Sequence, residues 1–356
     1  MFFLNITINE LFFSFLVMLV LVVILIIAVL FYSFFQYKKL THYSIWRQLI
    51  DKKISETIVF GKESKNENPE FEKMVHNSNF RELFLEKLVE CEKKFSGMAQ
   101  NEIIGLFNSY NLEKEALQKL AQKKPYLIGG GIQELTSMKV EAALPKITSL
   151  LSHPSPQVYQ EAEYAMLAFK GFEGLHFLKN TTHIISDWQQ LRLLTSLIKD
   201  PEQNDTNINL WLNSTNDSVI IFALRLLKKF QMFTFYNDVW KLLEHPSLEV
   251  RIKAIQTLLV IENDQTIPDF IALFPEQPTE IQAEIIWTME ISRDQRAVEF
   301  LKQQLLNHEI ISIRIAAAEA LFSLNHHNYL SELIDKENSS EVLIKIIKHA
   351  LQERIC

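Results

Sequence analysis

"LEHPSLEVRIKAIQTLL", residues 243–259, decides how this chain is read. A polar turn containing His245 and Pro246 leads to the β-branched Val250, then Arg251, then the small Ala254 one helical turn further on. Nearly the same layout stands in "LSHPSPQVYQEAEYAMLAF", residues 151–169, with Val158 and Ala162 in those places. Working outward from Val250, the first apolar residue after each polar turn is Ile128, Val158, Trp188, Val219, Val250, Ile281, Ile313 and Val342. The intervals are 30, 30, 31, 31, 31, 32 and 29 residues. Four residues later, on the same helical face, stand Ile132, Ala162, Arg192, Ala223, Ala254, Ile285, Ala317 and Ile346. Such a register, kept over more than 200 residues, is an internal repeat.

A second helix is expected upstream of each reference position, as in "DVWKLLEH" at 238–245, "DFIALF" at 269–274 and "AVEFLKQQLLNH" at 297–308. Pro145 and Pro268 sit thirteen residues before a reference position, where a helix starts and a missing N–H costs nothing; Asn237 holds the same slot as a cap. Pro154 and Pro246 lie four before a reference position and interrupt the chain between the two helices. The repeating unit is therefore helix, short turn, helix. An amphipathic pair cannot bury its apolar stripe alone, so neighbouring pairs are expected to stack around a shared core.

"VRIKAIQTL" at 250–258 and "IRIAAAEAL" at 313–321 resemble HEAT-type repeats, whose pattern is a turn, a Val-Arg pair, a spaced alanine and an Ala-Leu. The resemblance covers roughly residues 125–356 and implies an α-solenoid of about seven helical pairs. It also implies that the arginine after the β-branched residue, here Arg251 and Arg314, braces one repeat against the next. Tyr159, Gln189, Ile220 and Gln282 occupy that slot elsewhere and depart from the pattern. Two further places fit badly. Gly129, Gly130 and Gly131 fall inside a would-be helix, where each costs about 1 kcal/mol relative to alanine, so a loop or distorted cap is expected there. Arg192 stands in a core slot, so either the register shifts by one to Leu193 or the arginine snorkels.

The N-terminal region is of another kind. Leu11 to Phe35 is a run of 25 uncharged residues. As a helix it would be roughly 37 Å long, enough for a hydrocarbon core of about 30 Å. It is too long for a secretory signal, and no small-residue cleavage motif follows it. A transmembrane helix is expected over 11–36, after a short tail at 1–10. Phe12, Phe13 and Phe15 at one end, and Phe31, Tyr32, Phe34, Phe35 and Tyr37 at the other, suit interfacial belts. Only Glu10 is charged before the run, whereas Lys38, Lys39, Arg47, Lys52 and Lys53 follow it. The positive-inside rule then places the N-terminus outside and the C-terminal region in the cytosol, at an inner membrane. Those basic residues act as a stop-transfer signal, or rest on anionic headgroups.

Residues 37–69 read as a juxtamembrane helix with apolar Ile45, Leu49, Ile50 and Ile54, ending in the polar linker "GKESKNENP" at 61–69. Residues 70–124 read as a two-helix hairpin, one helix from Glu70 to about Ser96 and one from Ala99 to before Pro125. The fold class expected for the whole chain is all-α.

Chemistry is sparse. Cys91 and Cys356 are the two cysteines, with no CxxC spacing, so neither a disulfide framework nor a zinc site is expected. His153, His245 and His308 recur at matched turns, which makes a row rather than a converging metal shell. No phosphate loop, cofactor motif or catalytic constellation is found, and the chain is not expected to be an enzyme. Residues 125–356 carry 20 basic and 29 acidic side chains, against 16 and 14 in residues 1–124, so the repeat region lacks the basic stripe that nucleic acid needs.

Residues three and six after each reference position would line the concave face of such a solenoid. These are Glu161, Tyr164, Phe222, Arg225, Lys253, Gln256, Glu284, Trp287 and Glu319. Aromatic and arginine side chains among charges suit a protein or peptide partner. The other assignment puts Trp287 and Phe222 in the core. The function expected is a membrane-anchored interaction scaffold. The alternatives are an accessory subunit of a membrane enzyme complex, for instance in envelope polysaccharide synthesis, or a lyase-like HEAT protein that binds a small molecule.

Overall fold

A computed structural model describes residues 8–61, 68–197, 206–336 and 340–352. The expected tail at 1–10, the linker at 61–69 and Cys356 fall wholly or largely outside them. The chain divides into two compact units, Met1–Ala165 and Met166–Cys356. All regular structure among the described residues is helical.

In the first unit α1 runs unbroken over Ile8–Phe60, 53 residues. The expected boundary between a membrane helix and a separate juxtamembrane helix is absent, because nothing from Tyr37 to Ile45 breaks a helix. α1 contains one stretch long and apolar enough to cross a membrane, and none of its apolar window is buried. The stretch is therefore not a core helix of this chain. Towards its C-terminal end α1 becomes amphipathic, burying Ile50, Ile54 and Thr57. The expected Ile45 stays exposed; Trp46 instead packs edge-on against Phe80, ring centroids 5.7 Å apart.

The expected hairpin is four helices: α2 (Pro69–Met74), α3 (Ser78–Glu92), α4 (Met98–Ser109) and α5 (Glu113–Leu120). Asn68 and Asn77 cap α2 and α3, their side-chain oxygens accepting from Glu70 N at 3.0 Å and Asn79 N at 2.9 Å. Asn111, at φ 48°, breaks the second expected helix at a left-handed residue. Arg81 closes that turn, donating to the Tyr110 and Asn111 carbonyls at 2.9 and 3.0 Å while pairing with Glu115. The core here is aromatic: Phe71, Phe80, Phe84 and Tyr110 meet edge to face.

α6 (Pro125–Ser137) carries Gly129, Gly130 and Gly131 inside an intact helix, so the expected loop does not form. Packing explains Gly131, and in part Gly129, where a Cβ would lie 3.0 Å from the Gln157 carbonyl, whereas Gly130 faces open space. A Cβ at Gly131 would lie 2.8 Å from Lys119 Cβ and 2.9 Å from the Ala116 carbonyl of α5. At Gly131 the helix gives up propensity and gains a close crossing with α5. α7 (Leu144–Ser149) and α8 (Pro156–Lys170) follow.

The second unit continues with a 3-10 segment, Gly171–Asn180, and then α9 (Asp187–Ser196), α10 (Thr206–Leu212), α11 (Asp217–Phe230), α12 (Tyr236–Lys241), α13 (Leu248–Leu258), α14 (Thr266–Leu273), α15 (Thr279–Ser292), α16 (Val298–Asn307), α17 (Ile311–Ser323), α18 (His327–Asp335) and α19 (Glu341–Gln352). α10 packs on α11, α12 on α13, α16 on α17 and α18 on α19; the 3-10 turn Phe274–Glu276 that extends α14 meets α15. The later helix of each pair packs on its counterpart in the next: α11 on α13, α13 on α15, α15 on α17, α17 on α19. One apolar core runs through them, from Leu167 to Ala350. Each buried Leu, Ile or Phe in it contributes about 1.5–3 kcal/mol.

Two reference positions need correction. Trp188 is 73% exposed and Val342 47%, whereas Gln189 with Leu193, and Leu343 with Ile347, are buried. Both helices are turned by one residue, about 100°. Arg192 is thereby moved out of the core slot and Leu193 takes it. The buried series becomes Ile128, Val158, Gln189, Val219, Val250, Ile281, Ile313 and Leu343, at intervals of 30, 31, 30, 31, 31, 32 and 30 residues. Every partner four residues on is buried as well, and Ala223, Ala254 and Ala317 are small enough for close helix approach.

Candidate interaction surface

In the second unit the partly exposed face of the later helices is crossed by polar rungs about one repeat apart. Arg225 on α11 pairs with Asp187 on α9 at 2.6 Å, and Lys229 Nζ donates to the Leu194 and Leu197 carbonyls at the end of α9. Beneath that face, in the buried layer, Thr257 Oγ1 of α13 donates to the Leu224 carbonyl of α11 at 3.3 Å. Gln256 Nε2 donates to Glu284 Oε1 on α15 at 2.9 Å, and Lys253 Nζ to Gln256 Oε1 at 3.2 Å. Ser323 of α17 donates to Glu290 at 2.7 Å, and His349 of α19 stands 4.0 Å from Glu319 of α17.

On the partly exposed side of these helices Lys253, Gln256 and Glu284 are bonded in a row, Arg225 pairs with Asp187, and Glu319 stands near His349. Phe222 does not belong there. It is fully buried among the α11 core residues, as the alternative assignment had it, because α11 buries nine consecutive or near-consecutive residues and has a narrow polar face. Trp287 is 42% exposed and Ile291, one turn on, 52%. Ile291 lay outside the three-and-six spacing; the i, i+4 relation to Trp287 is the signal that reveals it. Glu161 and Tyr164 are half-buried on α8 in the first unit.

The two arginines named as braces behave differently. Arg251 Nη2 donates to Gln277 Oε1, in the turn of the following pair. Its Nε is buried without an acceptor among the described residues. Arg314 Nε donates to the Leu305 carbonyl of α16 at 2.8 Å, so it ties α17 to the helix just before it.

The recurring histidines have one shared role. Nδ1 of His153, His245 and His308 accepts the backbone N–H two residues on, from Ser155, Ser247 and Ile310, each at 3.1 Å. Each histidine is extended, with ψ near 140°. The imidazole replaces the Asp or Asn of an Asx-turn and takes up an N–H that enters the next helix unpaired. The geometry requires Nδ1 to be the unprotonated nitrogen.

Perturbed groups are scattered rather than convergent. Hydrogen bonds from Lys87 and Lys94 hold the exposed Glu90 carboxyl at about 2. Burial pushes the Cys91 thiol up, away from nucleophilic thiolate. Burial raises Glu134 in spite of its 2.5 Å bond from Lys119, and raises Tyr236 in spite of its bond with Thr266. Among the described residues no three His, Cys, Asp or Glu side chains group as metal ligands.

No family model matches the chain, and no curated protein matches it. Among solved structures it is similar to an engineered protein known from a crystal structure. The identity is 14%, covering 85% of this chain and 98% of that one, with a TM-score of 0.35.

Proposed function

We propose that the protein is a membrane-anchored scaffold of HEAT-like helical pairs, which docks a protein or peptide partner on the face formed by the later helix of each pair. In this reading α1 crosses an inner membrane with its N-terminus outside, and the repeats lie in the cytosol. The basic residues that follow the apolar run support that orientation. The observation that carries the docking reading is the exposed Trp287–Ile291 pair on α15 beside the Gln256–Glu284 rung. It is a large apolar anchor with a polar surround, the composition of an interaction hot spot. A photo-crosslinking residue placed at Glu284 in intact membranes is expected to capture one protein reproducibly. Replacing Trp287 and Ile291 by Ala should lower capture about tenfold or more. Capture unchanged by that double replacement would remove the face from the account.

The accessory-subunit reading is favoured by a different feature, the wholly exposed apolar arm of α1. It predicts that a partner is captured from positions within 12–35 and survives deletion of residues 166–356. A chain lacking residues 1–37 is expected to be soluble and folded; if it still floats with membranes, the anchor is elsewhere.

A further inference from the structure

The second unit holds a cavity of about 580 Å³ between the turn that enters α15 and the turn that enters α17, and Trp287 is not part of it. Its polar lining includes Gln277, Thr279, Gln282, Gln304, Asn307 and His308. The exposed Glu309 is the one carboxylate, and no lysine or arginine lines the cavity among the described residues.

Three of these side chains are each held in one orientation by a bond on the side away from the cavity. Gln282 is 8% exposed, and its Nε2 donates to the Phe274 carbonyl at 3.2 Å. Its Oε1 forms no hydrogen bond among the described residues, yet it is not closed off from solvent, and the open part of Gln282 lines the cavity. Gln277 Oε1 accepts from Arg251 Nη2, so Gln277 Nε2 is the end left to donate. Turned over, either amide would set like groups against each other, oxygen on oxygen at Phe274 or nitrogen on nitrogen at Arg251. His308 Nδ1 accepts the Ile310 N–H at 3.1 Å, so the proton is on Nε2, a second donor without an acceptor among the described residues. The two donors and the acceptor are thus aligned before anything binds, and little freedom is lost in engaging them.

Fixed donors beside a fixed acceptor, with no cation among them, complement main-chain amides, each of which offers a carbonyl and an N–H. An anion would find no counter-charge here, and no phenyl or indole face lines the cavity on which a sugar ring could stack. The rim is aliphatic, because Leu306, Ile310 and Ile311 are all exposed around the α16–α17 turn. Main-chain bonds with apolar side chains seated alongside are the usual means of holding an extended peptide. We infer that this cavity binds an uncharged, extended segment of a partner polypeptide through its main chain, with carbonyls on Gln277 Nε2 and His308 Nε2, an N–H on Gln282 Oε1 and apolar side chains against Ile310 and Ile311. The inference stands independently of the Trp287 face.

The test is a titration of the full chain in nanodiscs carrying labelled isoleucine methyls, with acetyl-Ser-Val-Ser-Val-Ser-amide as probe. The methyls of Ile310 and Ile311 are expected to shift together and saturate, while Ile184 stays where it is. Among analogues with one amide N–H replaced by an ester oxygen, at least one should bind about fivefold more weakly or worse. His308→Asn keeps an oxygen to accept the Ile310 N–H but loses the outward donor, and should weaken the probe about fivefold. His245→Asn, the same change at the equivalent turn outside the cavity, should leave binding unchanged. No saturable shift, ester analogues that all bind like the parent, or His308→Asn binding as tightly as the unaltered chain would overturn the inference. Maltose shifting the same methyls at the concentrations that saturate the peptide would overturn a polypeptide as the ligand. Trp287→Ala should leave this titration as it is, so the scaffold reading and the cavity can fail separately.

Discussion

The arm of α1 over residues 12–35 and the later helices of the second unit are built from much the same residues, yet their side chains meet opposite fates. Val, Leu, Ile and Phe are exposed throughout the arm, whereas in α11 all of them are buried except the terminal, half-buried Phe230. The difference lies in spacing. The arm is apolar on every side, so no rotation hides it within the chain. α11 carries Arg225, Lys228 and Lys229 on one side, and α13 and α15 also alternate polar and apolar faces at helical period, which gives each helix one side to bury.

Charge placed at equivalent depth separates the two most sharply. Ala317→Asp buries an unpaired carboxylate at a fully buried position and should cost about 3–5 kcal/mol, seen as early loss of helicity in urea. Ile24→Asp in the arm should leave that urea transition unmoved and reduce flotation with vesicles. If Ala317→Asp were as harmless as Ile24→Asp, the core of the second unit would not be where the buried register puts it.

Within the stack, the corrected register makes the next largest distinction. Leu193→Ala should cost about 2–5 kcal/mol, and Trp188→Ala less than about 0.5 kcal/mol, in the same denaturation experiment. The reverse order would restore the original register. Gly131→Ala probes the crossing of α5 and α6 and should cost about 1–3 kcal/mol through overpacking, although alanine is the better helix former. A more modest loss belongs to a turn: His245→Ala should lose about 1 kcal/mol with the Ser247 N–H bond, and His245→Asn should recover part of it.

These cases also show what could be read before any coordinates. Val158, Val219, Val250, Ile281 and Ile313 were legible because an apolar residue after a polar turn contrasts with its neighbours. Gln189 was not, since hydropathy cannot distinguish a buried amide from a solvated one, and the conspicuous Trp188 beside it took its place. Gly129 to Gly131 read as a break because propensity is local, whereas the crossing that requires Gly131 is set by α5. Helix ends were hidden for a similar reason. Lys139, Gln231 and Arg293 hold left-handed backbone at φ 56°, 49° and 53°, a role usually signalled by glycine. The spacing of Arg225, Lys253, Gln256 and Glu284 placed them at partly exposed positions of α11, α13 and α15, which is where they stand. Phe222 was not legible in this way, because its neighbours on α11 leave it no exposed side.

The central claim, that helices about one repeat apart in sequence are neighbours in space, is tested most directly by paired cysteines in a chain with Cys91 and Cys356 replaced by Ser. Gln256→Cys with Glu284→Cys, and Glu290→Cys with Ser323→Cys, should each be joined by a short bismaleimide. Arg225→Cys with Glu284→Cys, two helices apart, should not. Ready joining of the distant pair with failure of both near pairs would contradict the stacked arrangement.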